Sequence, residues 1–187
     1  HTFRIAPYGG VGLTLFLIEY DTTRPEAADA QKLIAETTEA ATKAGGEVIE
    51  THIAPDINRA YVVVEHDREN GLRAALVAAR LPEHDLAQVR LVGATLEEVK
   101  ANKTTPGFLV EWDFPEGLDM DTYLARKKEK APLYAKVPEV QFRRTYVRED
   151  MIKCLCLYDA PDEDAVRRAR EVVETPVDRL TRLQPGQ

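Results

Sequence analysis

Phe16-Leu17-Ile18-Glu19-Tyr20-Asp21 is followed 92 residues later by Phe108-Leu109-Val110-Glu111-Trp112-Asp113. Both stretches read apolar, apolar, apolar, Glu, aromatic, Asp. At the same offset Glu47-Val48 matches Glu139-Val140. Because one offset holds at separate places, we interpret the matches as an internal repeat rather than as chance similarity.

The offset grows to 94 further along the chain, where residues 59–64 match residues 153–158 and Pro82 matches Pro176. A two-residue insertion in the hairpin of the second copy accounts for this change. We therefore expect both copies to contain the same elements in the same order.

The first copy shows the periodicity of a strand, a helix, two strands, a second helix and a last strand. Thr23 with Glu26 three residues later has the form of a capping box, which predicts that the first helix begins near Arg24. The predicted elements are Leu13–Tyr20, Arg24–Ala44, Glu47–Ile53, Arg59–Glu65, Arg68–Arg80 and Leu86–Val92.

This βαββαβ order is typical of the ferredoxin-like unit, whose antiparallel sheet carries both helices on one face. We therefore predict an α+β chain of two tandem ferredoxin-like repeats, residues 10–99 and 106–185, joined by an exposed linker. Each repeat leaves one sheet face bare, so we expect the two to pack sheet to sheet as a pseudo-dimeric α/β barrel. Such a chain supplies both halves of the barrel, which is compatible with a monomer or a homodimer.

Composition excludes several classes of protein. The 187 residues are 44% hydrophobic and 30% charged with a net charge of −7, which is a globular mixture. Both halves are acidic, so we expect no nucleic-acid partner. The apolar stretch Val11–Ile18 is too short to span a bilayer, and we expect no membrane partner. The two cysteines, Cys154 and Cys156, form no disulfide framework, which favours a reducing, cytoplasmic location.

The second copy resembles a bacterial family of small ferredoxin-like domains that includes a nickel-binding protein. The resemblance covers about residues 108–183 and rests on the stretches 108–115, 139–142, 156–158, 160–163 and 176–180. It implies the wider group of dimeric α/β-barrel proteins, which includes muconolactone isomerases, polyketide cyclases and cofactor-free monooxygenases. For activity it implies either acid/base chemistry of those kinds or nickel binding.

The chain departs from this family at positions where its members carry histidines. On the second strand the first copy has His52, whereas the second copy has Arg144. On the second helix the family histidine falls on Ala169, and on Ala75 in the first copy. A guanidinium offers no lone pair to a metal, so nickel is least expected in the second copy.

Two carboxylates continue the apolar alternation of the repeated strand. Glu19 follows Leu15 and Leu17, and Glu111 follows Leu109. If they face a barrel interior, burial raises their pKa values toward those useful for general acid or base catalysis. The alternative is a strand-end glutamate that is exposed or paired with an arginine.

His52 and Arg144 occupy equivalent positions at the 92-residue offset. We expect His52 to share or relay a proton moved by Glu19 or Glu111, and Arg144 to neutralise developing oxyanion charge. The alternative is a surface histidine and an arginine that extends the basic run at Arg143. For a planar substrate, the aromatic candidates for a pocket lining are Tyr61, Trp112, Tyr146 and Tyr158.

These patterns predict a small-molecule-binding protein that carries out cofactor-independent cyclisation or isomerisation. The alternative is a non-catalytic binder of nickel or another divalent metal, with His52 and Glu19 as ligands and Glu50 or Glu65 as further candidates. Cys154 and Cys156 are either core residues or soft metal ligands, and we favour the core.

Overall fold

A computed structural model describes residues 13–186, which divide into two compact units. The N-terminal unit comprises residues 13–89, 99–105 and 184–186, and the C-terminal unit comprises residues 90–98 and 106–183. The first three residues of the first predicted repeat, 10–12, lie outside the described residues.

The N-terminal unit is built on four antiparallel strands in the spatial order β2-β3-β1-β4. Along the chain its elements follow as strand, helix, strand, strand, helix, strand. They are β1 (Thr14–Asp21), α1 (Ala30–Lys43), β2 (Glu47–Ala54), β3 (Arg59–His66), α2 (Glu69–Ala78) and β4 (Asp85–Val92). The last three residues of β4 belong to the C-terminal unit.

The first helix begins later than the capping box predicts. Thr23 uses its hydroxyl to donate to Asp21 Oδ1 at 2.6 Å, so it does not cap a helix. Pro25–Ala27 forms only a 3-10 turn, and Asp29 is the N-cap of α1, accepting a hydrogen bond from Lys32 N at 3.1 Å. The predicted start at Arg24 is therefore wrong by six residues.

The two helices of the N-terminal unit cover one face of its sheet. Phe16, Ile18 and Tyr20 of β1 lie in a buried cluster with residues of α1 and α2, such as Leu33 and Leu72. Leu15 and Leu17, which alternate with them, point to the opposite face and are also buried. This opposite face of the N-terminal sheet carries the polar residues considered below.

The C-terminal unit repeats the same spatial order of strands, β6-β7-β5-β8, also antiparallel. Its elements are β5 (Phe108–Asp113), α4 (Met120–Lys130), a 3-10 segment (Ala131–Lys136), β6 (Gln141–Arg148), β7 (Lys153–Asp159), α5 (Glu163–Val172) and β8 (Arg179–Arg182). The short helix α3 (Leu96–Ala101) precedes β5. The mixed α+β class and the antiparallel pairing are thus confirmed.

Strand pairing in the two units shows that the two-residue insertion does not lie in the hairpin where the sequence predicts it. The loops 55–58 and 149–152 are equally long, so the second hairpin contains no insertion. In each unit the register between the second and third strands shifts after one aligned pair. That pair is Val48 with Val64 in the N-terminal unit and Phe142 with Tyr158 in the C-terminal unit. The offset is therefore already 94 along β2 and β6, and the two extra residues lie between β5 and β6.

This register changes which residues correspond. His52 pairs with Tyr61, and at the 94-residue offset Tyr146 pairs with Leu155. Arg144 instead corresponds to Glu50. The expectation that His52 and Arg144 occupy equivalent positions is therefore wrong, because the offset of 92 does not extend to this strand.

None of the helices within residues 13–186 combines the length and apolar character that crossing a bilayer requires.

Candidate functional site

A row of polar side chains crosses the N-terminal sheet on the face opposite α1 and α2. Glu19 on β1 pairs with Tyr61 on β3 and with Asp85 on β4, and Tyr61 pairs with His52 on β2. Paired residues of antiparallel strands project to the same face. We call His52, Tyr61, Glu19 and Asp85 the polar row.

The two ends of the polar row differ in burial. Asp85 is exposed and Glu19 is half-buried. Tyr61 is 1% exposed and His52 is 5% exposed. The row therefore leads from solvent to a buried imidazole.

His52 is held from one side by a carboxylate. Nε2 of His52 lies 2.5 Å from Oε1 of Glu50, and both side chains are buried. An ionised carboxylate only accepts hydrogen bonds, so we assign Nε2 as the donor of this contact. Nδ1 of His52 is buried and has no hydrogen-bond partner. Since nearly all buried polar atoms are paired, this unpaired ring nitrogen is an exception that needs an explanation, and a bound ligand atom would supply one.

Glu111 is buried as expected, at 1% exposure, but its electrostatic environment differs from the expected one. Lys153 Nζ donates to Oε1 at 2.8 Å, and Nε of Arg179 donates to Oε2. Arg179 also pairs with Asp113. These residues hold Glu111 in an ion-pair network of the C-terminal unit.

The network reverses the predicted shift in the pKa of Glu111. Burial raises this pKa, but the charges of Lys153 and Arg179 and their hydrogen bonds lower it by more, so the pKa lies below its usual range. The expectation of a raised pKa is therefore wrong for Glu111. A carboxylate that is kept ionised by two cations is suited to a structural role.

The four aromatic residues predicted to line a pocket do not all project from the same side of their strands. Tyr61 belongs to the polar row, and Tyr146 shares a row with Leu155 and Glu111. Trp112 and Tyr158 instead lie in the core between the C-terminal sheet and its helices. A single pocket lined by all four is therefore wrong, because Trp112 and Tyr158 alternate with the residues that face away from the helices.

Arg144 is buried on β6, opposite Leu157. Its neighbour Arg143 donates to Asp159 Oδ2 at 3.2 Å. Neither guanidinium is a solvated surface group of the kind that the alternative interpretation describes, because both side chains are largely buried.

A second cluster of reactive groups lies in the C-terminal core. Cys156 Sγ accepts from Thr145 Oγ1 at 3.1 Å and Arg170 Nη1 at 3.4 Å, and it lies 3.9 Å from Cys154 Sγ. Both cysteines are free and buried, as we favoured. The hydrogen bond to Cys154 and the nearby cations Lys127 and Arg170 hold the pKa of Cys156 well below its usual range, whereas burial raises the pKa of Cys154.

Arg170 is the functional candidate that the sequence analysis missed. It is only 1% exposed and lies on the buried side of α5 with Val166 and Ala169. An arginine at helical spacing from apolar residues is the signal that points to it, because such a position normally faces the core.

The residues present do not fit a resident nickel ion. Among residues 13–186, no group of three or more His, Cys, Asp or Glu side chains is arranged to hold a metal. His52 and Glu50 together supply one imidazole and one carboxylate. At the family's helix position, Ala169 lies in the core and offers no ligand atom.

Comparison with known proteins agrees with this fold. The family model "Nickel responsive protein SCO4226-like" matches residues 108–183, the same stretch that carries the resemblance. No curated protein sequence matches the chain significantly.

Two solved structures are similar over nearly the whole chain. A putative chlorite dismutase is 11% identical with a TM-score of 0.52, covering 92% of this chain and 96% of its own. A putative monooxygenase from Lactobacillus acidophilus is 9% identical with a TM-score of 0.49, covering 92% and 93%. At 11% identity the first likeness shows a shared fold and carries no conclusion about activity.

Proposed function

We propose that the N-terminal unit binds a small organic molecule and moves a proton on it without a cofactor, in an isomerisation or a cyclisation. One observation carries the proposal: Glu50 engages Nε2 of His52, while Nδ1 is buried without a partner. An imidazole that is oriented by a carboxylate, and whose other nitrogen has no hydrogen-bond partner, can act as a general base once a substrate reaches that nitrogen.

The polar row supplies a second proton-transfer group. His52 and Glu19 are separated by β3, so their backbones lie roughly 9–10 Å apart, twice the spacing of neighbouring strands. In this proposal a small planar substrate binds over Tyr61, between the two groups. His52 then takes a proton from one end of the substrate, and Glu19, protonated at the start of the cycle, gives a proton to the other end. The imidazolium afterwards loses its proton to solvent and Glu19 takes one up from solvent, which restores both groups.

Glu50 and Tyr61 assist this transfer. Glu50 orients the imidazole and stabilises the imidazolium that forms when His52 accepts a proton. In this proposal Tyr61 donates a hydrogen bond to an enolate oxygen that develops above it. We assign no step to Glu111, which is held ionised, or to Arg144, which belongs to the other unit.

The common strand order and equal hairpin lengths also support a duplicated ferredoxin-like unit as the origin of this chain. The repeat bounds 10–99 and 106–185, the sheet-to-sheet barrel, the monomeric or homodimeric state and the cytoplasmic location stay predictions.

Mass spectrometry of small molecules that co-purify with the untagged chain would identify a ligand, whose turnover is then measured. We expect His52→Gln to lower the rate by about 10² to 10⁴, the usual contribution of a general base. His84→Gln is the matched control, because that imidazole contacts the Pro82 carbonyl and not the polar row. Equal rates for wild type and His52→Gln would refute the proposal.

Divalent-metal binding by His52 and Glu19 is the alternative that the sequence predicts, and the lack of a group of three or more ligating side chains among residues 13–186 counts against it. Nickel titration of wild type and His52→Ala tests it. Stoichiometric nickel that is lost in the variant would replace proton transfer as the function of the polar row.

A further inference from the structure

We propose that Cys154 and Cys156 bind one soft monovalent metal ion, the cuprous ion, between their sulfur atoms. The two residues flank Leu155 on β7, so their side chains project to the same face of the C-terminal sheet. They are the only cysteines of the sequence. The proposal concerns residues outside the polar row and does not depend on the proton-transfer function.

The spacing of the two sulfur atoms suits an ion with two ligands. Sγ of Cys154 lies 3.9 Å from Sγ of Cys156, and both cysteines are free. Two metal–sulfur bonds of roughly 2.3 Å, the length found in thiolate sites, span at most about 4.6 Å. An ion bonded to both sulfurs therefore requires only a small change in their separation.

The ligand atoms select the class of metal. Thiolates are soft ligands, which favour Cu(I), whereas a structural zinc site requires about four ligands. Among residues 13–186, no third His, Cys, Asp or Glu side chain joins the pair. The hydroxyl beside Cys156, Thr145 Oγ1, donates a hydrogen bond to the sulfur at 3.1 Å. Two soft ligands without a third favour a two-coordinate cuprous ion over a divalent ion.

Two cations beside Cys156 favour a complex with a negative charge. Arg170 Nη1 donates to Sγ of Cys156 at 3.4 Å, and Lys127 Nζ lies 3.8 Å from the same sulfur. On binding, the cuprous ion joins the thiolate of Cys156 and replaces the proton of Cys154, which passes to solvent. One positive charge replaces another, so the net charge of the core does not change. A divalent ion would add a buried positive charge beside Arg170 and Lys127, which is costly.

A buried hydroxyl next to Cys154 lacks a hydrogen-bond partner. Tyr123 is 3% exposed, and its Oη is unpaired. Burial and the neighbouring Cys154 hold the pKa of Tyr123 well above its usual range, so this hydroxyl keeps its proton. A thiol is a weak acceptor, whereas a metal-bound thiolate carries negative charge and accepts more strongly. Metal binding would therefore supply the acceptor that Tyr123 lacks.

A small space leads from solvent toward the sulfurs. It lies between α4, the 3-10 segment and α5, and it has room for about one water molecule. Its walls include Lys127 and Arg170, the two side chains that contact Cys156. A bare ion can reach the sulfur when the Lys127 side chain moves aside, whereas a bulky thiol reagent cannot enter.

Competition for Cu(I) measures the binding. Under reducing conditions without oxygen, Cu(I) is titrated into the full chain against the chromogenic chelator bicinchoninate, and we expect one tightly held ion per chain. Cys154→Ala and Cys156→Ala should each weaken binding at least about 100-fold, because even the loss of an outer-shell partner costs roughly 10- to 100-fold. Met120→Leu and Met151→Leu remove the only other sulfur atoms of the sequence and should leave the affinity unchanged.

X-ray absorption of the copper-loaded wild-type chain tests the site without any substitution. We expect two sulfur ligands and no nitrogen ligand. A copper ion with nitrogen ligands, no ion retained against the chelator, or unchanged affinity in either cysteine variant would overturn the proposal. Zinc that binds the pair as tightly as Cu(I) would overturn the choice of a monovalent ion.

Discussion

Glu50 and His52 lie two residues apart on β2, with Oε1 of Glu50 2.5 Å from Nε2 of His52. At the matching register of the C-terminal unit stand Arg144 and Tyr146. The two units thus present different side chains at the same register, and the acid–base pair belongs to the N-terminal unit. This asymmetry is the reason that we place proton transfer there.

Glu111→Gln should destabilise the protein. The substitution removes the negative charge between Lys153 and Arg179, and breaking a buried ion pair typically costs about 3–5 kcal/mol. Urea unfolding at pH 7 measures the loss. Glu116→Gln, an exposed carboxylate of the following turn, is the control and should change stability by less than about 0.5 kcal/mol. A loss for Glu111→Gln as small as that of the control would contradict the network.

The stabilisation by Glu111 should depend on pH in a definite direction. Its pKa is lowered in the folded state, so the unfolded chain binds the proton more readily. The contribution is therefore present above the unfolded pKa, about 4.3, and is lost as the pH falls through the folded pKa. The stability difference between wild type and Glu111→Gln should be constant from about pH 6 to 8 and shrink below roughly pH 4. A difference that grows on acidification would show that burial dominates instead.

Gly93→Ala should cost more than Gly117→Ala, although both glycines have a positive φ, +91° and +86°. A Cβ at Gly93 would lie 2.7 Å from Cε1 of Phe142, whereas one at Gly117 meets nothing within 4 Å. Strain alone should cost about 1–2 kcal/mol at either position, and the contact with Phe142 should add about 1–3 kcal/mol. Thermal or urea unfolding measures both, and equal losses would contradict the packing of Phe142 on Gly93.

Cys154 and Cys156 should resist thiol reagents in the folded protein. Both side chains are 0% exposed, so the lowered pKa of Cys156 does not make it accessible. Labelling with a disulfide reagent should proceed at the rate of unfolding and reach both thiols in denaturant. Rapid labelling of a single thiol under native conditions would show that solvent reaches the cluster.

Strand alternation predicted the faces of the sheets well because the period of two is local. It placed Glu19 with Leu15 and Leu17, and Glu111 with Leu109, as observed. Correspondence between the copies failed on β2 and β6, because the two extra residues lie before β6, where no strand pattern marks them.

Sequence patterns could not predict the charged residues around Glu111, for a different reason. Lys153 and Arg179 are 42 and 68 residues away along the chain, and only the pairing of β5 with β7 and β8 brings them to the carboxylate. Burial alone raises the pKa of a carboxyl group, so a prediction made without those cations gives the wrong direction for the shift in the pKa of Glu111. The contact of His52 with Glu50 could have been predicted from the sequence, since residues two apart on a strand share a face.

Exchange of a ligand's carbon-bound hydrogen with solvent tests the central claim most directly. The molecule that co-purifies with the chain is incubated with protein in D₂O, and deuterium incorporation is followed by NMR. We predict exchange that falls about 10²-fold or more in His52→Gln and in Glu50→Gln but not in His84→Gln. Exchange at the wild-type rate in His52→Gln, or no exchange with the wild-type protein, would contradict proton transfer by the polar row.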